Sequence, residues 1–347
     1  MEATGRALPK VLLHEHLDGG LREQTLLELL HARGLPSPAP DAAALGRWFD
    51  ARAHAGSLVE FLRGFELTVA AMASLPALER VAFEAAEDAR ADGCVLAEFR
   101  IAPLLFEAHG LAAEAVVEAL VAGLRRSPLP SGLIVCAMRH LPPSETLRAA
   151  QLAIAFQGRG VVAFDLAGAE FGHPPGEHHE ALKRVRDAGL ALTLHAGEAD
   201  AAERVLEAAR LGATRIGHGV RLADAIGDPA RQALVEEAIE RGIHLEVCPS
   251  SNVHTGAARS IAEHPIVALW RAGVSLSFHT DNRLMSRTTA SQEAELLLAH
   301  TPLTVEDLVR MELEAVRHSF LDADVRAVAQ RAIEAWRNAT VTKPALG

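Results

Sequence analysis

Eight short runs rich in Val, Ile and Leu recur along the chain, and several are followed by amphipathic stretches of helical length. The runs are Val11–His16, Cys94–Arg100, Leu133–Arg139, Val161–Leu166, Leu190–His195, Arg215–Gly217, His244–Cys248 and Val274–His279. The helix-like stretches between them are Leu111–Leu124, Ser144–Phe156, Pro175–Ala188, Ala201–Leu211, Pro229–Arg241 and Ser260–Ala272. Strands that alternate with helices form a parallel sheet covered by helices. This pattern predicts an α/β fold, a (β/α)₈ barrel of the TIM type, with residues 1–347 as a single domain.

The first unit departs from this alternation. Roughly 75 residues separate the first run from the second, far more than an ordinary connection. This segment holds helical patterns at Leu21–His31, Leu58–Ala73 and Ala77–Ala91. Because it follows strand 1, it belongs to the face where barrel active sites are built. We expect extra helices inserted after strand 1, which either form a lid over the site or serve as structural padding.

Charge and composition exclude several classes of partner. The net charge is −11, which would repel the phosphate backbone of a nucleic acid. No apolar stretch reaches the ~18 residues that span a bilayer, and the N-terminal residues do not have the pattern of a secretory signal. Three cysteines are too few for a disulfide framework and favour a reducing compartment. We therefore expect a cytoplasmic protein whose partner is neither a nucleic acid nor a membrane.

Histidines and acids collect at the carboxyl ends of the predicted strands. His14 and His16 end the first strand, and residues two apart in a strand point the same way, so both imidazoles can face one ion. His195 ends the fifth strand, with Glu198 one short turn beyond it. The carboxyl ends of all strands in a barrel meet at one face.

The sixth and eighth strands add further polar groups at this face. His218 lies between two glycines, and the eighth strand ends in His279, Asp281 and Asn282. His14, His16, His195 and Asp281 then make a nitrogen and oxygen ligand set suited to Zn²⁺, with a position left for water. Each residue alone could be a hydrogen-bonded polar group of the core, but their coincidence at one face indicates a metal site.

Several multi-residue motifs occur in the order known from one family. They are HEHLDG from residue 14, AEFRIAP at Ala97–Pro103, DLAG at Asp165–Gly168, HAGE at His195–Glu198, RIGHG at Arg215–Gly219, EVCPSSN at Glu246–Asn252 and HTDN at His279–Asn282, with SLVEFLRGFELT at Ser57–Thr68. Together these motifs resemble the adenosine deaminases, a family of metal-dependent amidohydrolases. The resemblance extends from about residue 9 to the last strand.

The resemblance implies a role for each matching residue. One zinc ion would be bound by His14, His16, His195 and Asp281. Glu198 would protonate purine N1, and His218 would hold and help deprotonate the water bound to the metal. The resemblance also places His16 and Asp18 near the ribose, the backbone N–H of Gly168 near purine N3, and residue 282 near N7. Many members carry Asp where this chain has Asn282, whose amide donates a hydrogen bond at every pH.

The implied reaction converts a purine nucleoside, adenosine or 2′-deoxyadenosine, to inosine or 2′-deoxyinosine and ammonia. The main alternative is 6-aminodeoxyfutalosine, a 5′-extended nucleoside with the same purine; adenine and a non-catalytic binding barrel are further alternatives. A two-metal site would need a bridging lysine at the end of a middle strand. The lysines of the chain are Lys10, Lys183 and Lys343, and the fourth strand ends in Asp165 instead. Nucleic-acid deaminases carry H-x-E and P-C-x-x-C motifs, which Cys248–Ser251 does not supply. His279 either supports the metal ligands or fills the barrel, and Glu170 receives no role.

Overall fold

The computed structural model describes residues 2–53 and 64–340 of the chain. Eight strands within these residues form one sheet in sequence order, and every neighbouring pair is parallel. They are β1 (Lys10–His16), β2 (Cys94–Ile101), β3 (Ser131–Met138), β4 (Val161–Ala167), β5 (Ala191–Ala196), β6 (Arg215–His218), β7 (His244–Val247) and β8 (Ser275–Phe278). The predicted (β/α)₈ barrel is confirmed, and each predicted run overlaps one of these strands.

The sheet closes through residues that follow β8. The backbone N–H of Asp281 donates to the carbonyl of His14 at 2.9 Å, and the N–H of His16 donates to the carbonyl of Asp281 at 2.8 Å. An isolated parallel bridge accordingly pairs Glu15 with Asp281. The barrel is therefore closed by the same short segments that carry three of the predicted metal ligands.

Helices surround the sheet. They are α1 (Glu2–Ala7), α2 (Glu23–Ala32), α3 (Ala42–Ala53), α4 (Gly64–Met72), α5 (Leu75–Ala91), α6 (Ala113–Arg125), α7 (Pro143–Ala155), α8 (His179–Asp187), α9 (Glu203–Arg210), α10 (Gln232–Glu240), α11 (Pro249–His254), α12 (Ile266–Arg271), α13 (Arg283–Ser286), α14 (Ala290–His300), α15 (Val305–His318) and α16 (Ala323–Thr340). Short 3₁₀ turns occur at Leu17–Gly19, Pro103–His109, Pro175–His178 and Val220–Ala225. No helix in the described part of the chain combines the length and apolar character that crossing a bilayer requires.

Helices α2 to α5 lie between β1 and β2. The predicted helical stretches Leu21–His31 and Ala77–Ala91 correspond to α2 and α5. The stretch Leu58–Ala73 lies partly outside the described residues, as does the motif at Ser57–Thr68, and its described part holds α4.

Helix α5 shows how the sequence sets such an element. The Ser74 hydroxyl caps its first turn by accepting a hydrogen bond from the N–H of Ala77. Leu78, Ala82, Ala85 and Ala89 then recur at helical spacing and are buried. The three alanines among them permit close packing against the neighbouring elements.

Candidate active site

Four buried side chains converge at the carboxyl end of the barrel. His14, His195, His218 and Asp281 each offer one ligand atom, and these atoms lie within 4.8 Å of one another. They come from β1, β5, β6 and the segment after β8, so the closed sheet is what brings them together. The group contains three of the four predicted ligands together with His218, which the sequence assigned to catalysis.

His16, the remaining predicted ligand, lies at the edge of this group. Its Nε2 is 3.2 Å from His195 Nε2 and 3.5 Å from Asp281 Oδ1. The alternation of β1 places His14 and His16 on the same side, with ring centroids 5.5 Å apart. Glu15 between them points elsewhere and pairs with Arg283, as the alternation predicts.

Carboxylates hold the outer nitrogens of two of these histidines. Glu246 Oε2 lies 2.8 Å from His14 Nδ1, and Asp165 Oδ2 lies 3.0 Å from His195 Nδ1. The Arg100 guanidinium joins the two carboxylates, at 2.9 Å from Asp165 and 2.6 Å from Glu246. A carboxylate on Nδ1 keeps the proton there and leaves Nε2 free to bind a metal. Sequence analysis assigned no role to Glu246 or Arg100, although both lie in the quoted motifs.

The donor atoms fit a metal ion. His14 Nε2 is buried and makes no hydrogen bond to any residue that the structure describes, although Asp281 Oδ1 lies 3.2 Å away. Burial lowers the pKa of His16 well below its ordinary value, so its ring is neutral near pH 7. The close approach of the Nε2 atoms of His16 and His195 therefore favours a cation that both can bind. Imidazole nitrogens with one carboxylate are a zinc-type ligand set.

Two residues of the site adopt unusual backbone conformations. His218 has φ of 63° and Asp281 has φ of 59°, in the left-handed region that residues other than glycine rarely occupy. Such strain costs of order 1–3 kcal/mol and persists where the surrounding structure imposes it, commonly at functional sites. His218 ends β6 and Asp281 lies three residues after the end of β8, so the strained backbone directs both side chains into the cluster.

Glu198 lies beside His218, with its Oε2 3.5 Å from His218 Nε2. Its other oxygen accepts a hydrogen bond from Thr255 Oγ1 at 2.8 Å. Burial and then the Asp281 charge raise the pKa of Glu198 to about 7, so it can hold a proton near neutral pH. Burial lowers the pKa of His218 to about 4, which leaves that imidazole neutral. The pair thus supplies an acid and a proton acceptor side by side.

A cavity of about 490 Å³ opens onto this cluster. It is lined by His16, Asp18, Phe65, Glu66, Val69, Ala102, Leu105, His109, Cys136, Met138, His140, Ala167, Gly168, His195, Glu198, His218, Asp281 and Asn282. All of the predicted substrate-binding residues are among them. Helix α4 of the segment after β1 contributes three of these side chains, whereas its proposed action as a lid stays a prediction.

Three of the predicted substrate contacts have features that suit a ligand. Asp18 Oδ1 and Asn282 Oδ1 are buried without a hydrogen-bond partner among the described residues. Gly168 has φ of 94°, and a Cβ there would lie 3.0 Å from the His140 ring. The glycine therefore keeps its backbone accessible from the cavity.

His279 is not part of the cluster. Its Nδ1 accepts a hydrogen bond from the N–H of Leu13 at 3.2 Å, and its Nε2 lies 2.7 Å from Ser277 Oγ. It is fully buried and links the end of β8 to β1. Of the two roles left open by the sequence, these contacts favour filling and closing the barrel.

The fold and the convergent His and Asp side chains define a class, the metal-dependent barrel amidohydrolases. The sequence profile of the family described as Adenosine deaminase matches residues 9–336. The chain belongs to the adenosine deaminase family and is a hydrolytic deaminase.

Relatives agree with this assignment, and solved structures share the fold. The chain is 43% identical to an adenosine deaminase of Mycobacterium ulcerans over 337 residues, which cover 92% of each chain. It is 44% identical to an adenosine deaminase of Mycobacterium tuberculosis over 339 residues, covering 93% of this chain and 92% of that protein. The crystal structure of adenine deaminase from Arthrobacter aurescens superposes with a TM-score of 0.84 at 25% identity, covering 95% of this chain and 99% of that one. An amidohydrolase from Burkhoderia ambifaria with bound Zn shares the fold, with a TM-score of 0.85 at 24% identity, covering 99% and 95%.

Proposed function

We propose that this protein removes the 6-amino group of adenosine and 2′-deoxyadenosine by hydrolysis, using one zinc ion held by His14, His16, His195 and Asp281. The observation that carries the proposal is the placement of Glu198, a buried carboxyl with a pKa raised to about 7, at the edge of that cluster. The curated relatives, named as adenosine deaminases, support adenosine as the substrate.

The reaction adds water to purine C6 and expels ammonia. Zinc, when bound, supplies Lewis acidity that makes hydroxide available from water near neutral pH. Addition at C6 moves electron density to N1, where the Glu198 carboxylic acid donates its proton. The neutral imidazole of His218, 3.5 Å from Glu198, accepts a proton from the attacking water. The amino group then takes up the proton held by His218 and leaves as ammonia, while the hydroxyl proton at C6 returns to Glu198, which leaves a 6-oxopurine and restores both residues.

The remaining cavity residues would orient the nucleoside. We assign Asp18 and His16 to the ribose, the backbone N–H of Gly168 to purine N3 and the amide of Asn282 to N7. The Oδ1 atom of Asp18, which has no partner among the described residues, supports its role, because a buried acceptor without a partner costs free energy until a ligand such as a ribose hydroxyl supplies a donor. A side-chain amide can present either its oxygen or its nitrogen to the ring, so Asn282 suits N7 by donation.

The charge of the cavity favours a nucleoside over a nucleotide. No lysine or arginine lies among the described residues that line it, whereas Asp18 and Glu66 are acidic. A 5′-phosphate would therefore meet uncompensated negative charge near the ribose end. The alternative nucleoside, 6-aminodeoxyfutalosine, is not favoured by the curated relatives.

We further propose one barrel domain over residues 1–347 and a cytoplasmic location. Cys94, Cys136 and Cys248 are all free and buried, which supports a reducing compartment.

The test is ammonia release by zinc-loaded protein, with adenosine, 2′-deoxyadenosine, adenine, adenosine 5′-monophosphate and 6-aminodeoxyfutalosine assayed in parallel. We expect the highest kcat/KM for adenosine and 2′-deoxyadenosine. A higher kcat/KM for 6-aminodeoxyfutalosine would leave the proposed chemistry unchanged and make that compound the substrate. Absence of ammonia release from every compound would overturn the proposed function.

A further inference from the structure

Glu170 is a buried carboxylate close to, but outside, the substrate cavity. It follows β4 at the end of the DLAGAE segment and is 3% exposed. Its two oxygens accept hydrogen bonds from four consecutive backbone N–H groups of the loop after β5. Oε1 accepts from Gly197, and Oε2 accepts from Glu198 at 2.9 Å, Ala199 at 2.7 Å and Asp200 at 3.1 Å. The side chain is absent from the cavity lining.

The backbone N–H groups of this loop form a nest of the kind that binds anions, and the Glu170 carboxylate of the same chain occupies it. Gly197 has φ of 69°, which lets successive N–H groups turn toward one point. Hydrogen bonds from backbone N–H groups to an ionised carboxylate are roughly twice as strong as neutral ones. One carboxylate therefore fixes the backbone conformation over Gly197–Asp200.

The opposite side of the same loop is held by Arg221. Its backbone N–H donates to the Gly197 carbonyl at 2.8 Å, and its Nε donates to the Glu198 carbonyl at 3.2 Å. Glu170 thus binds the N–H groups of this loop while Arg221 binds its carbonyl groups. Hydrogen bonds therefore fix both the backbone N–H and the backbone carbonyl of Glu198.

These backbone hydrogen bonds matter for Glu198 because few other hydrogen bonds fix its side chain. Thr255 Oγ1 donates to its Oε1 at 2.8 Å, and Asn252 Nδ2 lies at 3.5 Å from the same oxygen. The carboxyl must meet one ring nitrogen of the substrate, and a misplacement of about 1 Å can reduce a rate about a hundredfold. The backbone position of Glu198 thus sets whether proton transfer occurs.

We propose that Glu170 is a positioning residue for the reaction, which holds the loop Gly197–Asp200 so that Glu198 is aimed at the purine ring. This inference rests on the proposed function of Glu198 as the proton donor. Glu170 itself touches neither substrate nor the ligand cluster. Its loss should therefore reduce the chemical step more than substrate binding or zinc binding.

The test compares Glu170→Gln and Glu170→Asp with wild type under zinc-loaded conditions. Glutamine keeps the size but presents an NH₂ group to backbone donors, so its single oxygen cannot accept all four hydrogen bonds. We expect kcat for adenosine to fall about 10- to 100-fold with KM changed less than about twofold. Glu170→Asp keeps the charge on a shorter side chain and should recover part of the lost kcat. Zinc stays at one ion per chain in both variants.

Glu177→Gln is the matched control, because Glu177 is an exposed acid in the same β4–α8 connection. It should keep wild-type kcat and KM. Wild-type kcat in Glu170→Gln would overturn the proposal, and so would a rise in KM without a fall in kcat. Loss of folding or of zinc in both Glu170 variants would also overturn it, since the carboxylate would then hold the barrel rather than the loop. If wild type itself releases no ammonia, the proposed function has failed instead.

Discussion

Two buried carboxylates in the barrel have opposite surroundings. Glu246 accepts hydrogen bonds or ion pairs from His14, Thr193, Arg100 and Arg215, at 2.6 to 2.8 Å. Burial alone would raise its pKa, but the two guanidinium charges hold the pKa of Glu246 well below its usual range. Asp18 is also buried, yet its Oδ1 has no partner in the described part of the chain, and burial raises the pKa of Asp18 to about 7.

On this basis we distinguish a supporting layer, whose buried charges are paired with one another, from a reacting layer, whose polar side chains lie at the ligand cluster and its cavity. Glu246, with Arg100, Arg215, Glu98 and Asp165, forms a layer of ion pairs inside the barrel. The atoms without partners at Asp18, Asn282 and His14 lie at the ligand cluster and its cavity. A satisfied buried charge holds neighbouring side chains in place, whereas an unsatisfied one is stabilised when a ligand binds. Changes in the first layer should therefore cost stability, and changes in the second should cost activity.

The largest effect is expected from His195→Ala in the reacting layer. Removing one of the predicted ligands should reduce zinc well below one ion per chain and reduce ammonia release to background. The helical circular dichroism signal should persist, because the supporting layer is intact. Metal analysis and the ammonia assay check this, with the exposed His179→Ala as the control. Full zinc occupancy in His195→Ala would show that the ligand set is wrong.

Arg215→Met tests the supporting layer. Arg215 pairs with Glu98 and Glu246 at 2.6 Å each, and all three side chains are fully buried. Its removal leaves two buried carboxylates without this cation and should reduce the free energy of unfolding by about 3–5 kcal/mol.

Denaturant unfolding measures the loss in Arg215→Met. Arg241→Met is the control, because its pair with Glu237 lies at the surface and should contribute far less to the free energy of unfolding. Equal losses of unfolding free energy in Arg215→Met and Arg241→Met would show that the supporting layer contributes no more to stability than ordinary surface ion pairs do.

Asp18→Asn should have the smallest effect on stability. It replaces a carboxylate that burial disfavours with a neutral amide, so the free energy of unfolding should fall by less than about 1 kcal/mol or rise. Loss of a charged hydrogen bond to the ribose should lower kcat/KM for adenosine about 10- to 100-fold. Thermal unfolding and steady-state kinetics on the same sample separate the two quantities. A large loss of stability with unchanged kcat/KM would assign Asp18 to the supporting layer.

The sequence predicted the fold well because apolar strands ending in polar residues leave a local pattern. The runs Val11–His16 and Cys94–Arg100 differ from β1 and β2 by a single residue at one end. The site residues at strand ends could likewise be predicted, since the carboxyl ends of parallel strands meet. The motif SLVEFLRGFELT could be compared with the structure only from residue 64 onward.

Residues that act through long-range contacts could not be predicted. Arg100 meets Glu246, 146 residues away, and Glu170 meets the Glu198 backbone, 28 residues away. No periodicity or spacing encodes such pairs, because they arise only when the barrel closes. From the sequence alone, each of these residues cannot be distinguished from an ordinary hydrogen-bonded polar residue of the core.

We propose that Glu198 acts as a protonated acid beside the ligand cluster. Its most direct test is the pH dependence of kcat/KM for adenosine with zinc-loaded wild type and Glu198→Gln. Burial, and next the Asp281 charge, raises the pKa of Glu198 to about 7. The Glu198 carboxyl group is therefore protonated below about pH 7, where it can donate a proton, and ionised above that pH.

We expect wild-type kcat/KM to fall about tenfold per pH unit above neutrality. Glu198→Gln should keep one zinc ion per chain, lose about 10²- to 10⁴-fold in rate and lack this basic limb. Near-normal turnover in Glu198→Gln, or the same basic limb in both proteins, would contradict the account.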